Sequence, residues 1–547
     1  MPSPRPNLQE LCSRDYDLLV VGGGINGAGA AREAAGRGLS VLLVEQADFA
    51  FGASSRSTKL LHGGLRYLEH RDFALVAESL KERRVLTEVL APHLTRPLPF
   101  LVPVYAGDQR PAWLIRAGLW LYDLLALRGR GLIRWHRWLG REAALAAAPL
   151  LGSAGLAGAA EYWDCQMDDA RLVLENLQDA QRMGAKAINY CSLQGAHSMS
   201  EGGVRVRLRD EESGAECDAR ARLLVLAAGA WTGEACRRLG LAATPRVRPT
   251  KGVHLVTRRL LDGHALLVPA RSDGRVFFVI PWDLEGRPAS LIGTTDTDFS
   301  GDPSRLRAEE DEIGYLLTET ARVLPAAGLK RADLWATFAG LRPLSAPPPD
   351  RAGSTGLVSR EHTFWEEPGL LAVTGGKYTT YRALCQSLVE RAALRLGARL
   401  GPAFSAKTAL PGAPRSGAET PAKMAAQLEG EFGLDPDAAA LLVFHYGRLA
   451  RDVAGLTREE AEWKRPLAPG SGCPAILAMA VWAARHEQVA HLDDFYLRRT
   501  KLGLMLPPDH PGADRLAAVV GQVLGWDRDR GLEELDRLRR IVAGEYR

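Results

Sequence analysis

From Tyr16 to Glu45 the chain reads YDLLVVGGGINGAGAAREAAGRGLSVLLVE: an apolar run, a glycine cluster, an alanine-rich helical stretch, Gly38, and a second apolar run ending on an acid. Two short apolar runs joined by one helix predict a βαβ unit with parallel strands. Within it Gly22, Gly24 and Gly27 have G-x-G-x-x-G spacing. The first serves the tight turn, the second the approach of backbone to a pyrophosphate, and the third close helix packing. Gly23 and Asn26 complete the loop. The helix N-terminus then faces the phosphates. Glu45, eighteen residues after Gly27, is placed to accept hydrogen bonds from adenosine ribose hydroxyls, which a 2′-phosphate would forbid. The unit reads as a dinucleotide site rather than a merely tight turn.

The next segment favours FAD over NAD. FAFGASSRSTKLLHGGLRY is rich in small and hydroxyl residues, Ser55 and Thr58 among them, and leads through His62 to Gly63 and Gly64. Such a stretch can run flat against a large planar cofactor, where a nicotinamide domain usually proceeds to a third strand. Further on, VRVRLRDEESGAECDARARLLVLAAGAW holds an alternating strand, a turn at Glu211 to Gly214, a buried strand, and a glycine motif with Gly229. That order resembles the β-meander and second glycine motif of glutathione-reductase-type flavoproteins.

With 547 residues, 46% of them hydrophobic, the chain is long enough for about three or four folding units. A formal net charge of +4 calls for no nucleic-acid partner unless it is concentrated locally. Seven scattered cysteines without C-x-x-C spacing argue against a disulfide framework and a zinc site, and point to a reducing compartment. His486 and Glu487 begin a near miss to H-E-x-x-H, but the second histidine is His491, off the helical face a zinc pair needs; no metal is expected. The first residues lack the apolar core of a secretory signal. Pro111 to Leu127, broken by Arg116 and Asp123, is too short for a confident membrane span. WDCQMDDARLVLENLQ predicts a helix in which Asp168 and Asp169 act as cap and first-turn acid rather than as a catalytic pair. Thr250 to Asp302 turns β-rich, Leu370 to Thr374 reads as a strand before Gly375 and Gly376, and Arg399 to Pro421 reads as a linker before a helical remainder.

Taken together, GGGINGAG, STKLLHGGLRYLEH, RPAWLIRAGLWLYD, DCQMDDARLVLENLQ, KGVHLV, VFFVIPW, IGTTDTDFSGDP, GLRPL, GGKYTTYR and RRTKLG resemble, in order, the FAD-dependent, membrane-associated glycerol-3-phosphate dehydrogenases. The resemblance implies an α/β fold: a glutathione-reductase-type FAD-binding Rossmann domain with a β-rich cap domain and a C-terminal helical domain. The expected divisions are 14–75, 160–240 and 330–396 for the FAD domain, 76–159 and 241–329 for the cap, and 397–547 for the helical domain. It also implies non-covalent FAD, oxidation of sn-glycerol 3-phosphate to dihydroxyacetone phosphate, and delivery of the electrons to ubiquinone or menaquinone. Its substrate pocket falls on Arg66, Tyr67, His254, Arg342, Arg360, Lys377 and Thr379, with Gly376 beside the flavin. Here Tyr378 stands where a smaller apolar residue is common, and AAGAW replaces ATGPW.

A phosphate monoester near −2 needs cationic, geometrically matched donors, and hydride loss from C2 needs a base. His254 suits the base, Arg342 the stabilisation of alkoxide character, and Lys377 the anion, although His254 in an apolar strand is ordinarily a satisfied core histidine. His62 is expected nearer flavin than substrate. Thr294 and Asp296 in GTTD reach the pocket floor or only shape a turn. Three rivals remain: a soluble glycerol-3-phosphate oxidase that uses oxygen, a flavin-containing nucleic-acid-binding protein, and an amino-acid oxidase, which would want a single carboxylate-binding arginine.

Arg110 to Arg141 carries seven arginines against Asp123, and four of the twelve tryptophans. Leu114, Ile115, Leu119, Leu121, Tyr122, Leu124 and Leu125 surround a stripe shared by Arg116 and Asp123. This pattern predicts a helix lying in the headgroups of an anionic bilayer. The expectation is peripheral, monotopic attachment to the cytoplasmic face, with no nucleic-acid partner and a homodimer left open.

Overall fold

The computed structural model describes residues 5–68, 72–108, 110–126, 133–242, 244–245, 247–345, 362–415 and 419–547. The βαβ expectation is met by strands Asp15–Val21 and Val41–Val44, which pair in parallel, and by helix Ile25–Gly36 between them. Glu216–Leu226, Leu370–Thr374 and Lys186–Ile188 extend the same parallel sheet. Val204–Asp210 pairs antiparallel with Glu216–Leu226 and shows period-2 burial, with Val204, Val206 and Leu208 inward and the arginines outward. Helix Ile25–Gly36 is mostly alanine and glycine, which lets Asp169–Arg182 and Tyr381–Leu396 pack closely on it.

A second sheet lies beside the first. Its strands run in the order Thr297–Asp298, Val247–Arg258, Arg287–Gly293, Val276–Leu284, Ala265–Pro269, Thr95–Tyr105, Leu156–Met167 and Leu60–Leu61, with Leu334–Ser345 also on Val247–Arg258. Strand Leu156–Met167, which spans the division expected at residue 160, pairs within the second sheet, and so does Leu334–Ser345, just past the division expected at 330. Leu156–Met167 is buried on both faces for nearly its whole length, so it lacks the alternation that distinguishes one sheet from the other.

Helices Pro421–Phe432, Pro436–Tyr446, Leu477–His486, Pro511–Leu524 and Arg528–Glu545 dominate the C-terminal region. Three of them start with proline behind Thr420, Asp435 and His510, where the missing N–H costs no hydrogen bond. Buried ion pairs join this region to the loop after Val41–Val44 and to the start of helix Asp169–Arg182. Arg499 reaches Asp48 Oδ1 at 2.9 Å and Arg498 reaches its Oδ2 at 2.5 Å; Lys501 pairs with Asp168, and Arg171 with Glu487 at 2.7 Å. RRTKLG is thus an interdomain clasp, and Glu487 of the zinc near miss is an ion-pair partner. Among the described residues no cluster of metal-ligating side chains occurs.

The cysteines depart from expectation at one point. Cys12 and Cys217 are joined by a disulfide that ties the N-terminal helix Leu8–Cys12 to strand Glu216–Leu226, while Cys165, Cys191, Cys236, Cys385 and Cys473 are free and buried. A separation of 205 residues leaves no spacing signal from which to read the pair.

Candidate active site

One cavity of about 720 Å³ runs from the glycine loop to the second sheet, lined by Gly22, Gly24, Asn26, Glu45, His62, Gly229 and Gly376, and by Tyr67, His254, Arg342 and Lys377 at its far end. Its nucleotide end fits FAD. A Cβ on Gly27 would fall inside the Gly22 carbonyl oxygen, and one on Gly22 would lie 2.5 Å from Ala227 O, so both positions must be glycine. Gly24 caps helix Ile25–Gly36 with no side chain in the way. Gly23 lies outside the cavity wall and donates its N–H to Glu45 Oε2 at 2.6 Å, while Glu45 Oε1 accepts from Ala47 N–H at 2.9 Å. Burial raises the carboxyl pKa of Glu45, and these two N–H donors oppose the shift. Ser55 is not on the cavity wall: Ser54 is, and its hydroxyl accepts from Ile25 N–H at 2.9 Å.

The far end is built on the pairing of Val247–Arg258 with Leu334–Ser345. Thr250 stands opposite Arg342, Gly252 opposite Gly340 and His254 opposite Phe338. Alternate residues share a face, so two glycines form a floor without side chains of its own between the arginine and the histidine, where a Cβ on Gly340 would lie 2.7 Å from Arg56 O. A Cβ on Gly252 would lie 2.5 Å from Thr294 Oγ1 and 2.8 Å from Arg342 Cζ; the arginine lies across the space that glycine leaves. Arg342 donates to Thr294 Oγ1 at 3.0 Å, to Thr295 O at 3.3 Å, and to Asp296 Oδ1 at 3.2 Å. Thr294 and Asp296 therefore do reach the pocket, as the braces of Arg342.

His254 is buried at the end of the floor, its ring stacked on Phe338 at 4.8 Å, and its Nε2 lies 2.9 Å from Thr58 Oγ1. Burial first, then the charges of Arg342 and Lys59, push its pKa well below the usual histidine value, so the imidazole is neutral. Across the cavity Lys377 Nζ sits 3.6 Å over the Tyr67 ring and 3.3 Å from Ser79 Oγ. Thr379 is buried outside the cavity wall; its hydroxyl bridges the backbone of His62, accepting from the N–H at 3.2 Å and facing the carbonyl at 3.3 Å. It braces a lining residue rather than lining the pocket itself. Arg360 and the side chain of Arg66 lie outside the described residues. Sequence reasoning missed Ser79, and Arg275, which donates to the Asp296 carbonyl; both lie far along the chain from the groups they hold, with no motif to mark them.

Known proteins share this sequence and fold. A family model for FAD dependent oxidoreductases matches residues 17–391, and one for the C-terminal domain of alpha-glycerophosphate oxidase matches residues 405–531. The chain is 37% identical to the aerobic glycerol-3-phosphate dehydrogenase of Escherichia coli, over 90% of this chain and 95% of that one. It is 35% identical to the glycerol-3-phosphate dehydrogenase of Synechocystis, over 96% of each. The crystal structure of the Bacillus halodurans glycerol-3-phosphate dehydrogenase complexed with FAD superposes with a TM-score of 0.78 at 28% identity, over 98% of this chain and 96% of that one. The chain belongs to the FAD-dependent glycerol-3-phosphate dehydrogenase family.

Proposed function

We propose that the chain oxidises sn-glycerol 3-phosphate at C2 to dihydroxyacetone phosphate and passes the electron pair to a membrane quinone. The observation that carries the reading is the glycine floor, with a neutral histidine at one end, a braced arginine at the other and a lysine opposite, in the cavity that fits FAD. When bound, FAD supplies the hydride acceptor. His254 takes the C2 hydroxyl proton at its imidazole; a substrate dianion beside Arg342 offsets the charge that, after burial, depresses its basicity. Arg342 stabilises negative charge on the C2 oxygen. Lys377 binds the phosphate, as Arg66 and Arg360 do by resemblance. The anaerobic test mixes the FAD-loaded protein with sn-glycerol 3-phosphate and follows flavin absorbance, with glycerol, lactate and glycine as controls. Bleaching by the phosphate ester alone is expected, and no bleaching refutes the reading. Reoxidation by a short-chain ubiquinone or menaquinone well above the rate with oxygen is expected. Faster reoxidation by oxygen replaces the quinone reading with the oxidase one, which the alpha-glycerophosphate oxidase match at residues 405–531 makes the specific alternative.

Attachment to a bilayer surface, on its cytoplasmic face by resemblance, belongs to the same proposal. No helix of the described residues is long and apolar enough to cross a membrane. Helix Ala112–Ala126 buries Leu119, Tyr122, Asp123 and Ala126, and it turns Trp113 (69% exposed), Trp120 (59%) and Leu124 (58%) outward along one stripe. The expected polar stripe is corrected here: Arg116 is exposed, whereas Asp123 is buried and holds His136 Nδ1 at 2.7 Å, so the outward face is more apolar than its sequence suggests. Exposed arginines at 134, 137 and 141 stand close by in the chain. On the inner face Tyr122 OH accepts from Gly63 N–H at 2.9 Å, next to His62 in the cavity wall, so the helix is rooted on the flavin loop. Flotation with anionic liposomes tests this. The protein should rise with the vesicles and release partly in high salt, and a Trp113→Ser, Trp120→Ser, Leu124→Ser variant should stay down yet still bleach with substrate. Equal flotation of both proteins, or of neither, refutes the contact.

A further inference from the structure

Helix capping accounts for only the first of the two acids that open helix Asp169–Arg182. Asp168 is the N-cap and accepts from Arg171 N–H at 3.1 Å. Asp169 is fully buried; besides accepting the Ala170 N–H at its Oδ1 (2.9 Å), it reaches outside the helix. Its Oδ2 accepts from Lys59 Nζ at 2.6 Å and from Ser57 Oγ at 2.7 Å, its Oδ1 accepts from Lys59 Nζ at 2.8 Å, and its carbonyl accepts from Tyr378 OH at 2.5 Å. Ser57 and Lys59 flank Thr58, whose hydroxyl meets His254 Nε2. Tyr378 follows Lys377 directly.

Two further observations mark this as more than a packing contact. Lys59 holds φ at +60°, the left-handed region that lysine rarely adopts and that persists only where its surroundings dictate it. The Nδ1 of His254 is buried with no hydrogen-bond partner among the described residues, which leaves the Thr58 hydroxyl to fix the ring alongside Phe338. A buried ion pair returns little net stability after desolvation, and its best-attested use is to specify position.

We propose that Asp169 is a positioning residue for the proton acceptor: through Ser57 and Lys59 it holds Thr58 against His254, and through Tyr378 it ties that point to Lys377. One residue on the FAD-domain helix, through its carboxylate on one side and its backbone carbonyl on the other, thereby registers a side chain of the second sheet against the anion-binding lysine. The inference rests on His254 taking the substrate proton.

A double-mutant cycle on the FAD-loaded protein tests it, with FAD content, the dissociation constant for sn-glycerol 3-phosphate and the flavin reduction rate measured for each variant. Asp169→Asn and Thr58→Val should each keep FAD and bind substrate within about twofold, yet reduce flavin about 10- to 100-fold more slowly, part of the general-base contribution. Combined, they should be no slower than the worse single variant by more than about threefold, since both act through the same bond. Thr58→Ser should restore most of the rate. A wild-type rate in Asp169→Asn, or losses that multiply in the double variant, overturns the proposal. His254→Asn separates the two possible failures. A wild-type rate there removes the proton-acceptor assignment itself, whereas a slow His254→Asn beside a normal Asp169→Asn removes only the positioning role. If Asp169→Asn does not fold, Ser57→Ala, which deletes one hydrogen bond to the same carboxylate, should slow reduction about three- to tenfold at unchanged affinity, and a wild-type rate in it is equally fatal.

Discussion

Gly252→Ala asks whether the glycine floor matters, using a single methyl group. Gly252 does not have positive φ, so alanine adds no backbone strain; what it adds is a Cβ 2.5 Å from Thr294 Oγ1 and 2.8 Å from Arg342 Cζ. Ordinary contact needs about 3.5 Å or more, so the guanidinium must move by about an ångström and leave at least one of its bonds to Thr294, Thr295 and Asp296. A charge-assisted hydrogen bond contributes about 1.5–3 kcal/mol, and each 1.36 kcal/mol is about tenfold in rate. If the displaced arginine loses one such bond to the reacting oxygen, kcat/KM for sn-glycerol 3-phosphate should fall about 10- to 150-fold. FAD content should stay near stoichiometric, because the glycine loop is untouched. Overpacking at one site costs about 1–3 kcal/mol of stability, so the assay runs well below the melting temperature. Gly118→Ala serves as the control, since a Cβ there meets nothing within 4 Å. A Gly252→Ala protein with full FAD and wild-type kcat/KM would show that turnover does not need Arg342 across the floor.

Other substitutions address the remaining parts. Arg342→Ala and Lys377→Ala should keep FAD and lose most activity, as they line the substrate end of the cavity; near-normal turnover in either withdraws its role. Gly27→Ala should yield protein depleted of FAD by absorbance, because the methyl group collides with the Gly22 carbonyl that shapes the loop; a fully loaded variant contradicts that geometry. His491 bridges Glu212 at 2.9 Å and Glu534 at 2.8 Å; burial lowers its pKa, but the two carboxylates outweigh burial and hold it up at about 9. Because the folded value exceeds the unfolded one near 6.5, its stabilisation is complete below that pH and is lost as pH rises through about 9. Melting temperature should fall over that interval more steeply in the wild type than in His491→Gln, and parallel profiles would refute the linkage.

The nucleotide half of the site was legible because its signals are local. Gly22, Gly24, Gly27 and Glu45 act within one βαβ unit, and the spacing carries the geometry. The substrate half is long-range. Nothing in the chain announces that Arg342 pairs opposite Thr250, so the meeting of Arg342 with His254 was expected from resemblance and explained only by strand register. Asp169 shows the same limit from another side: its position at a helix start has a sufficient local explanation, which hid the buried partner 110 residues away. Ser54 lines the cavity where Ser55 is expected, because neighbouring hydroxyls in a loop carry no periodicity to orient them. Thr379 occupies a family position, but its hydroxyl is consumed by His62 backbone.

The clasp between RRTKLG and the cofactor fold bears on how the molecule comes apart. Asp48 lies three residues beyond Glu45, and its carboxylate is neutralised by Arg498 and Arg499 of the helical region; Asp168 and Arg171 depend likewise on Lys501 and Glu487. Removing one side of such a pair strands an uncompensated charge in the interior, at about 3–5 kcal/mol each, which is comparable in sum to the whole stability of an ordinary domain. A chain shortened at the irregular segment after Leu396 would therefore lose the support of the loop that holds the nucleotide as well as a domain. The cofactor fold and the helical region are therefore expected to melt together in a single step, two separate transitions would contradict the coupling, and any insertion or fusion has to respect that joint rather than the boundary drawn along the sequence.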